Sequence, residues 1–211
     1  MNRIFVTGIG TGVGKTLASA ILAKALQADY WKPVQAGQVD GEGTDSEQVA
    51  RLLEGTSSKV HPEVYRLAKA ASPHIGAREE GKTISISKIC EQVPNISCTL
   101  IIEGAGGLMV PLNESEFMAD LVKALNAKVI LVSRNYLGSI NHSLLTVQAC
   151  KQMKIPVLGW IFNDQYLDYE DEIIKWSNLP RIASIPYSEN KNGIFINSQA
   201  TAISRHLKAL L

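Results

Sequence analysis

The feature that most constrains the fold of this chain is a run of spaced glycines directly after a short apolar strand. Residues 3–16 read RIFVTGIGTGVGKT, and a helical apolar pattern follows them. Glycine lets the backbone adopt a positive φ and approach a ligand closely. The N-terminus of the following helix offers free N–H groups and a dipole that favours an anion. The segment therefore predicts a phosphate-binding loop between a strand and a helix.

This loop departs by one residue from the usual spacing G-x-x-x-x-G-K-[ST]. The position five residues before Gly14 holds Ile9, and Gly8 lies one residue further away. In such loops the lysine, here Lys15, reaches the β- and γ-phosphates, and the hydroxyl of Thr16 ligates Mg²⁺. The alternative is a glycine-rich turn with a surface lysine. The strand before the glycines and the helix after them favour a P-loop variant.

The rest of the chain alternates short β-rich runs with helical patterns. Continuous apolar runs such as residues 99–102 and 129–132 are typical of strands that are covered on both faces, as in a parallel sheet. Strands are predicted at Ile4–Thr7, Tyr30–Val34, Thr99–Glu103, Lys128–Ser133, Val157–Phe162 and Arg181–Ile185. Helices are predicted at Lys15–Gln27, Asp45–Glu54, Ser85–Glu91, Phe117–Leu125, Ile140–Met153 and Ser198–Leu210. The order predicts an α/β fold with a doubly wound, mostly parallel sheet flanked by helices, and ligands at the carboxyl ends of the strands.

Composition narrows the class of protein. At 211 residues we expect a single domain over residues 1–211, and a net charge of +1 argues against a nucleic-acid or anionic-membrane surface. Residues 1–3 lead directly into the first strand, so we expect no signal peptide. Cys90, Cys98 and Cys150 have no C-x-x-C spacing, which indicates reduced thiols in a cytoplasmic protein.

Two acidic residues are candidate ligands for Mg²⁺. Glu103 ends a predicted apolar strand and precedes Gly104, Ala105 and Gly106, whose backbone can approach a phosphate. The alternative for Glu103 is a solvated side chain in a tight turn. Asp45 begins a predicted helix after Thr44, so it is either a second metal ligand or a first-turn acid that the helix dipole stabilises.

Lys32 lies in an unusual place for a lysine. It interrupts the apolar segment 30–35, just before Pro33, which removes a ladder donor. One interpretation is an edge lysine that points to solvent. The other is a lysine at a strand end that points into the crevice beside Lys15, where two positive charges would suit phosphoryl transfer.

Two further segments follow predicted strands. Asn163 and Asp164 follow the fifth strand, where an amide can bind a base edge, although an Asx-turn is an equal alternative. Residues 138–141 read GSIN before a predicted helix. Ser139 is a predicted N-cap, and the same N-terminus could bind a carboxylate.

Together these segments resemble the dethiobiotin synthetase family. The matching segments occur in the family's order and span roughly residues 3 to 190. They are FVTGIGTGVGKT, YWKPVQAG, TDS, SPH, IIEGAGG, LGSINH and GWIFND. The combination of KPVQ, EGAGG and LG-x-INH is far more specific than GKT alone.

The resemblance implies an ATP-dependent ligase of biotin biosynthesis. One amine of 7,8-diaminopelargonate attacks CO₂, the carbamate takes the γ-phosphoryl group of ATP, and the second amine closes the ring to give dethiobiotin, ADP and phosphate. The implied catalytic residues are Lys32 and Lys15, and the implied Mg²⁺ ligands are Thr16, Asp45 and Glu103. The implied nucleotide-binding residues are Gly12, Val13, Gly14, Lys15, Thr16, Asp45, Glu103, Gly104, Ala105, Gly106, Asn163, Asp164, Pro186 and Glu189. The implied substrate-binding residues are Thr11, Lys32, Ala36, Gly138, Ser139, Ile140 and Asn141.

The resemblance also implies a homodimer with shared active sites, in which residues 138–141 reach the neighbour's substrate. Two residues depart from the family pattern. Gly12 stands where some members carry an acid, and Ala36 stands where members usually carry a hydroxyl.

Three other classes are weaker matches. A regulatory P-loop ATPase of the plasmid-partition or division-site type needs a lysine where this chain has Gly10. An amidotransferase-type synthetase would need a glutaminase domain, and a small-molecule kinase an arginine-rich lid segment.

Overall fold

A parallel sheet of seven strands forms the centre of the molecule. The computed structural model describes residues 2–38, 43–164, 167 and 169–210, with the backbone alone for residues 205, 206 and 208–210. The strand order is β4-β2-β6-β1-β7-β8-β9, and every neighbouring pair is parallel. A separate parallel pair joins β3 to β5. The strands are β1 Arg3–Gly8, β2 Asp29–Trp31, β3 Val34–Ala36, β4 Val60–His61, β5 Tyr65–Leu67, β6 Leu100–Gly107, β7 Lys128–Arg134, β8 Val157–Asn163 and β9 Arg181–Ile185.

Helices cover both faces of the sheet. They are α1 Lys15–Leu26, α2 Asp45–Leu52, α3 Pro73–Glu79, α4 Ile86–Glu91, α5 Met118–Ala124, α6 Ser139–Gln152, α7 Glu170–Ser177 and α8 Gly193–Leu210. Apolar side chains of α1, α2 and α8 form one buried core with the sheet, and those of α3 to α7 form a second core. The continuous apolar runs of β6 and β7 lie between these two cores, which removes them from water on both sides. The predicted α/β fold with a mostly parallel sheet is confirmed. Among the described residues, no helix is both long and apolar enough to cross a membrane.

The predicted strand Tyr30–Val34 is wrong as a single element. β2 ends at Trp31, and β3 begins at Val34 in the separate two-stranded sheet. Pro33 has no N–H to donate to a ladder, so the chain leaves the main sheet at this point. Lys32 therefore lies in the break between two strands.

Strand β6 runs further than predicted. It continues to Gly107, so Glu103 lies inside the strand and is not its last residue. Glu103 is also buried, so the alternative of a solvated side chain in a tight turn is wrong. Glycine permits this continuation because a Cβ at Gly104 would lie 2.7 Å from Cε1 of Phe5 in the neighbouring strand. The result is a carboxylate that projects directly from the centre of the sheet.

Strand β1 lies between β6 and β7 and carries the glycine loop at its carboxyl end. The loop consequently emerges at the middle of the sheet edge. Residues from β2 and β6 on one side, and from β8 on the other, are placed within reach of it.

Candidate active site

The glycine loop curves back over its own lysine. Lys15 is the first residue of α1, and its Nζ donates a hydrogen bond of 2.9 Å to the carbonyl oxygen of Gly10. Gly14, which precedes the helix, has φ 94°, a conformation that glycine adopts readily. Burial lowers the pKa of Lys15 to about 8, with Glu103 opposing the shift and Lys32 adding to it. The lysine thus lies at the helix N-terminus, where a phosphate would be bound.

Beside the loop, one lysine, two carboxylates and a hydroxyl form a hydrogen-bonded cluster. The hydroxyl Oγ1 of Thr16 donates to Oδ1 of Asp45 at 2.9 Å and to Oε1 of Glu103 at 3.0 Å. Nζ of Lys32 lies 2.9 Å from Oδ2 of Asp45 and 2.9 Å from Oε1 of Glu103. Lys32 is only 3% exposed. It is therefore the crevice lysine of the two interpretations, and not an edge lysine in solvent.

The geometry of the sheet explains why Lys32 and Glu103 meet. Trp31 pairs with Ile102 in the parallel register of β2 and β6. Side chains alternate between the two faces of a strand, so the next residue of each segment, Lys32 and Glu103, projects to the opposite face from this pair. That face is the one that α1 covers, and Thr16 lies in the first turn of α1.

Asp45 is held by the capping of α2. The side chain of Thr44 accepts from the backbone N–H of Glu47, and the Glu47 carboxylate accepts from the N–H of Thr44. This reciprocal pair is a capping box. Asp45 is thus a first-turn acid that also contacts Thr16 and Lys32, and this position does not exclude a role as a metal ligand. Thr44 is therefore the N-cap of α2.

Electrostatic pairing favours the charged forms of Lys32 and Asp45 despite their burial. Desolvation opposes the charged form of Lys32, but Glu103 and Asp45 together raise its pKa above the usual value. Desolvation likewise opposes ionisation of Asp45, and Lys32 with the hydrogen bonds to Asp45 lowers its pKa. Burial and the negative charge of Glu103 raise the pKa of Tyr30 well above 10, so its hydroxyl remains a donor.

The donor set of this cluster fits Mg²⁺. Mg²⁺ prefers hard oxygen ligands and usually takes one or two carboxylates together with phosphate oxygens. Thr16, Asp45 and Glu103 supply a hydroxyl and two carboxylates that already lie within hydrogen-bonding distance of one another through Thr16. No group of three or more His, Cys, Asp or Glu side chains in the described part of the chain could hold a metal alone. The arrangement therefore matches a metal that arrives with a nucleotide.

A cavity of about 1160 Å³ opens over the cluster. Of the predicted site residues, its lining includes Thr11, Gly12, Gly14, Lys15, Thr16, Lys32, Ala36, Asp45, Glu103, Ala105, Gly106 and Glu189. The predicted residues that do not line it, among those described, are Val13, Gly104, Gly138, Ser139, Ile140, Asn141, Asn163, Asp164 and Pro186. The cavity is large enough for a nucleotide and a small second substrate.

Asn163 contacts the glycine loop directly. Its Nδ2 donates to the carbonyl oxygen of Val13 at 3.2 Å, and a Cβ at Gly14 would lie 2.1 Å from the same nitrogen. Asp164 has φ 73° and pairs with Arg134 at 2.9 Å. The end of β8 is therefore joined to the loop that would hold phosphates. Within the described residues Oδ1 of Asn163 has no hydrogen-bond donor, so it can accept one from a ligand.

The start of α6 lies apart from the cavity. Gly138, with φ 105°, is the N-cap, and Ser139 is the first helical residue, so the predicted N-cap at Ser139 is wrong. The N-cap position has a positive φ, which glycine adopts more readily than serine, so Gly138 and not Ser139 occupies it. Oγ of Ser139 is buried and has no hydrogen-bond partner among the described residues. Within one chain, residues 138–141 do not meet the cluster around Lys32.

Several residues of the site were not predicted. Gln35 is buried, donates to the carbonyl oxygen of Gly37 at 2.8 Å, and accepts from the N–H of Asp45 at 3.3 Å. Ser72 and Tyr187 line the cavity, and Tyr30 donates to Glu103. A polar residue two positions after Pro33 was the available signal for Gln35. Nothing in the local sequence distinguished Tyr30 from an ordinary strand residue.

Comparisons with known proteins identify the family of this chain. The family model described as AAA domain matches residues 2–193. Three similar proteins are each named ATP-dependent dethiobiotin synthetase BioD. The relative from Cytophaga hutchinsonii is 51% identical over 175 residues, 82% of each chain. That from Rhodopseudomonas palustris strain BisB18 is 46% identical over 87% of each chain, and that from Brucella ovis 44% identical over 88% of this chain and 86% of its own.

Solved structures share the fold at low sequence identity. The septum site-determining protein MinD with Mg-ADP from Pyrococcus horikoshii OT3 has a TM-score of 0.62 at 12% identity, over 100% of this chain and 98% of that one. The MinC:MinD cell division complex of Aquifex aeolicus gives 0.61 at 15% identity, over 99% and 96%. These structures establish the fold alone. The sequence relatives go further: this chain belongs to the ATP-dependent dethiobiotin synthetase family.

Proposed function

We propose that this chain catalyses the ATP-dependent carboxylation and ring closure of 7,8-diaminopelargonate with CO₂, giving dethiobiotin, ADP and phosphate in biotin biosynthesis. The observation that carries the proposal is the meeting of Lys15, Lys32, Thr16, Asp45 and Glu103 in one cavity. The sequence relatives that bear the synthetase name support the same reaction.

The reaction needs charge neutralisation more than acid–base residues. One amine nitrogen forms a bond to the carbon of CO₂ and loses a proton, which gives a carbamate. A carbamate oxygen then attacks the γ-phosphorus, and the bond to ADP breaks. The second amine attacks the carbamate carbon, phosphate leaves, and a further proton is lost. The first step creates an anionic carbamate, and the second brings its oxygen up to the anionic γ-phosphate. Fixed positive charges stabilise both.

Lys15 and Lys32 would supply these charges. Lys15 lies at the N-terminus of α1, suited to the β- and γ-phosphates, and Lys32 lies next to the metal-ligand candidates, suited to the carbamate and γ-phosphate oxygens. Bound Mg²⁺, held by Thr16, Asp45 and Glu103, would neutralise charge on the phosphate oxygens. The chain's own residues orient the reactants and hold them at short distance, which alone lowers the barrier substantially.

The remaining proposed contacts are with the phosphates and adenine of the nucleotide and with the diamine. Residues 12–16 and 104–106 would bind the phosphates. Asn163, with Asp164, would bind the adenine through its remaining amide hydrogen and Oδ1, and Pro186 and Glu189 would lie on the adenine side. Thr11 and the backbone at Ala36 would contact the diamine.

We further propose a homodimer with shared active sites, located in the cytoplasm. The substrate has a diamine end and a distant carboxylate, which need different environments. Residues 138–141 begin α6, where the helix dipole favours an anion although the N–H of Ser139 already donates to the carbonyl oxygen of Tyr136 at 2.9 Å. Beside them Leu137 is 88% and Leu145 60% exposed. A two-fold dimer that covers these leucines would present residues 138–141 to the partner subunit's substrate.

A direct assay tests the reaction. Purified protein is incubated with 7,8-diaminopelargonate, bicarbonate and Mg-ATP, and mass spectrometry should detect dethiobiotin and ADP in equal amounts. ADP production that does not require the diamine would instead indicate a regulatory ATPase.

Mixed dimers test the shared site. Lys15→Ala protein is mixed with protein that carries a bulky Gly138→Trp substitution. A shared site predicts that the mixture is more active than either parent, because each mixed dimer contains one intact site. Inactive mixtures in which native mass spectrometry detects heterodimers would exclude sharing.

A further inference from the structure

A buried tyrosine hydroxyl holds the oxygen of Glu103 that faces away from the cavity. Tyr30 is 0% exposed, and its hydroxyl donates to Oε2 of Glu103 at 2.9 Å. The other oxygen, Oε1, accepts from Thr16 at 3.0 Å and from Lys32 at 2.9 Å. The two oxygens of one carboxylate therefore have separate partners, one set at the cavity and one in the core.

The alternation of side chains along the strands produces this arrangement. Tyr30 pairs with Ile101 across β2 and β6. Because residues two apart share a face of a strand, Tyr30 and Glu103 project to the same side of the sheet. The tyrosine ring belongs to the core beneath α1, with Ile21 and Leu22, and its polar tip extends to the carboxylate. A buried tyrosine usually finds such a partner for its hydroxyl.

Without this contact, the carboxylate of Glu103 could rotate more freely about its terminal torsion. The terminal torsion of a glutamate is broad and roughly two-fold, so either oxygen can turn toward a cation. A fixed donor on Oε2 removes that freedom and leaves Oε1 directed at the cavity. We propose that Tyr30 is a positioning residue, which holds Glu103 so that Oε1 is presented to the Mg²⁺ that accompanies the nucleotide.

This inference rests on the proposed function, in that Glu103 is taken as a metal ligand. Tyr30 itself is not among the described residues that line the cavity, so it acts through Glu103 and contacts neither nucleotide nor substrate. Residues that orient metal ligands in this way typically change metal affinity by about 10–100-fold when they are removed.

Tyr30→Phe tests the role, since it removes the hydroxyl and keeps the ring in the core. Isothermal titration calorimetry measures ADP binding with Mg²⁺ and with EDTA. We expect Tyr30→Phe to weaken Mg-ADP binding by about 10–100-fold and to leave ADP binding in EDTA unchanged. In steady-state assays the Mg²⁺ concentration for half-maximal rate should rise while kcat at saturating Mg²⁺ changes little.

Two further variants distinguish the positioning of Glu103 from a non-specific loss of folded structure. Tyr65→Phe is the matched control, because it also removes a buried tyrosine hydroxyl, one that accepts from the N–H of Ser85. It should leave both titrations unchanged. In a Glu103→Gln background, Tyr30→Phe should have little additional effect on Mg-ADP binding, because the carboxylate that it positions is gone.

Each outcome decides between the possibilities. If wild-type ADP affinity does not depend on Mg²⁺, the proposed metal site itself is wrong. If the ADP affinity of the wild type depends on Mg²⁺ and that of Tyr30→Phe depends on it to the same extent, the metal site is supported and the positioning role is refuted. If Tyr30→Phe weakens both titrations equally, or does not fold by circular dichroism, Tyr30 supports the fold only, which also overturns the proposal.

Discussion

Replacing Lys32 by methionine would leave two neighbouring carboxylates without their shared cation. Nζ of Lys32 lies 2.9 Å from an oxygen of each of Asp45 and Glu103. Methionine keeps most of the side-chain length and removes the charge. The variant should therefore be less stable than the wild type, and the deficit should depend on whether another cation is present.

The size of the effect follows from burial. Removing one partner of a buried ion pair typically costs about 3–5 kcal/mol. The side chain of Glu103 is 1% exposed, but that of Asp45 is 25% exposed, so water screens part of its charge. We expect the lower end, about 3 kcal/mol of unfolding free energy. With a urea slope of about 2–3 kcal/mol per molar, the midpoint should fall by roughly 1–1.5 M.

The assay is urea unfolding followed by circular dichroism, with and without millimolar Mg²⁺. A ligand that binds only the folded protein stabilises it, and Mg²⁺ can take the place of the lost ammonium between the two carboxylates. Mg²⁺ should therefore stabilise Lys32→Met more than the wild type. Lys69→Met is the control, since Lys69 pairs with Glu79 on the surface, where both side chains are about half exposed. It should change little under either condition.

Two results would refute this reasoning. One is a Lys32→Met protein as stable as the wild type, which would mean that the cluster contributes no net electrostatic stabilisation. The other is a deficit that Mg²⁺ does not reduce, which would mean that the two carboxylates cannot hold a cation together.

Three further predictions address the loop, a helix cap and a thiol. Gly14→Ala should abolish detectable ADP binding in calorimetry, because a Cβ at this position would lie 2.1 Å from Nδ2 of Asn163. The Gly12→Ala protein, in which the added Cβ meets no atom within 4 Å, should bind ADP more weakly than the wild type but measurably, and equal affinities of the two variants would contradict the steric argument. Thr44→Ala should lower the unfolding free energy by about 1 kcal/mol in urea titrations, because α2 loses its N-cap; an unchanged midpoint would show that the cap contributes nothing. Burial raises the pKa of the Cys150 thiol to about 11, so the thiol is protonated at pH 8. Peptide mass spectrometry should therefore find Cys150 alkylated by iodoacetamide only after unfolding, and labelling at the same rate in the native protein would refute its burial.

The parts of the site that depend on short motifs could be predicted from the sequence. The glycine loop with Lys15 and Thr16 is contiguous, and Glu103 follows an apolar run whose β character is strong. Parallel strands end at one edge of a sheet, so these residues were expected to meet. The structure places Thr16 and Glu103 in hydrogen-bond contact.

The position of Lys32 could not be decided from local sequence. Whether a lysine after a strand faces solvent depends on what pairs with that strand. Here β2 has β6 on one side and the two-residue strand β4 on the other. A strand as short as β4 carries no periodic signal of its own, so nothing in residues 30–35 shows that β2 is an internal strand.

Short helices were missed for a similar reason. α3 has seven residues and includes Gly76, and α7 has eight residues with charged side chains in its first turn. Tertiary packing against the sheet stabilises such helices more than their intrinsic propensity does. The extent of β6 was also missed, because glycines usually indicate a turn, whereas here Gly104 continues the strand where Phe5 leaves no room for a Cβ.

The central place of β1 has a consequence for the order of folding. In the part of the chain that the structure describes, this first strand, Arg3–Gly8, pairs with two segments, which begin at Leu100 and Lys128. At a synthesis rate of about 5–20 residues per second, β1 leaves the ribosome roughly 5–20 s before its first partner is made. The contact between Asn163 and Val13 joins residues 150 positions apart. Because contacts of long sequence separation form late and slowly, the nucleotide pocket is completed only when nearly the whole sheet is in register. Nucleotide binding can therefore stabilise the finished fold, but it cannot guide the early steps that lead to it.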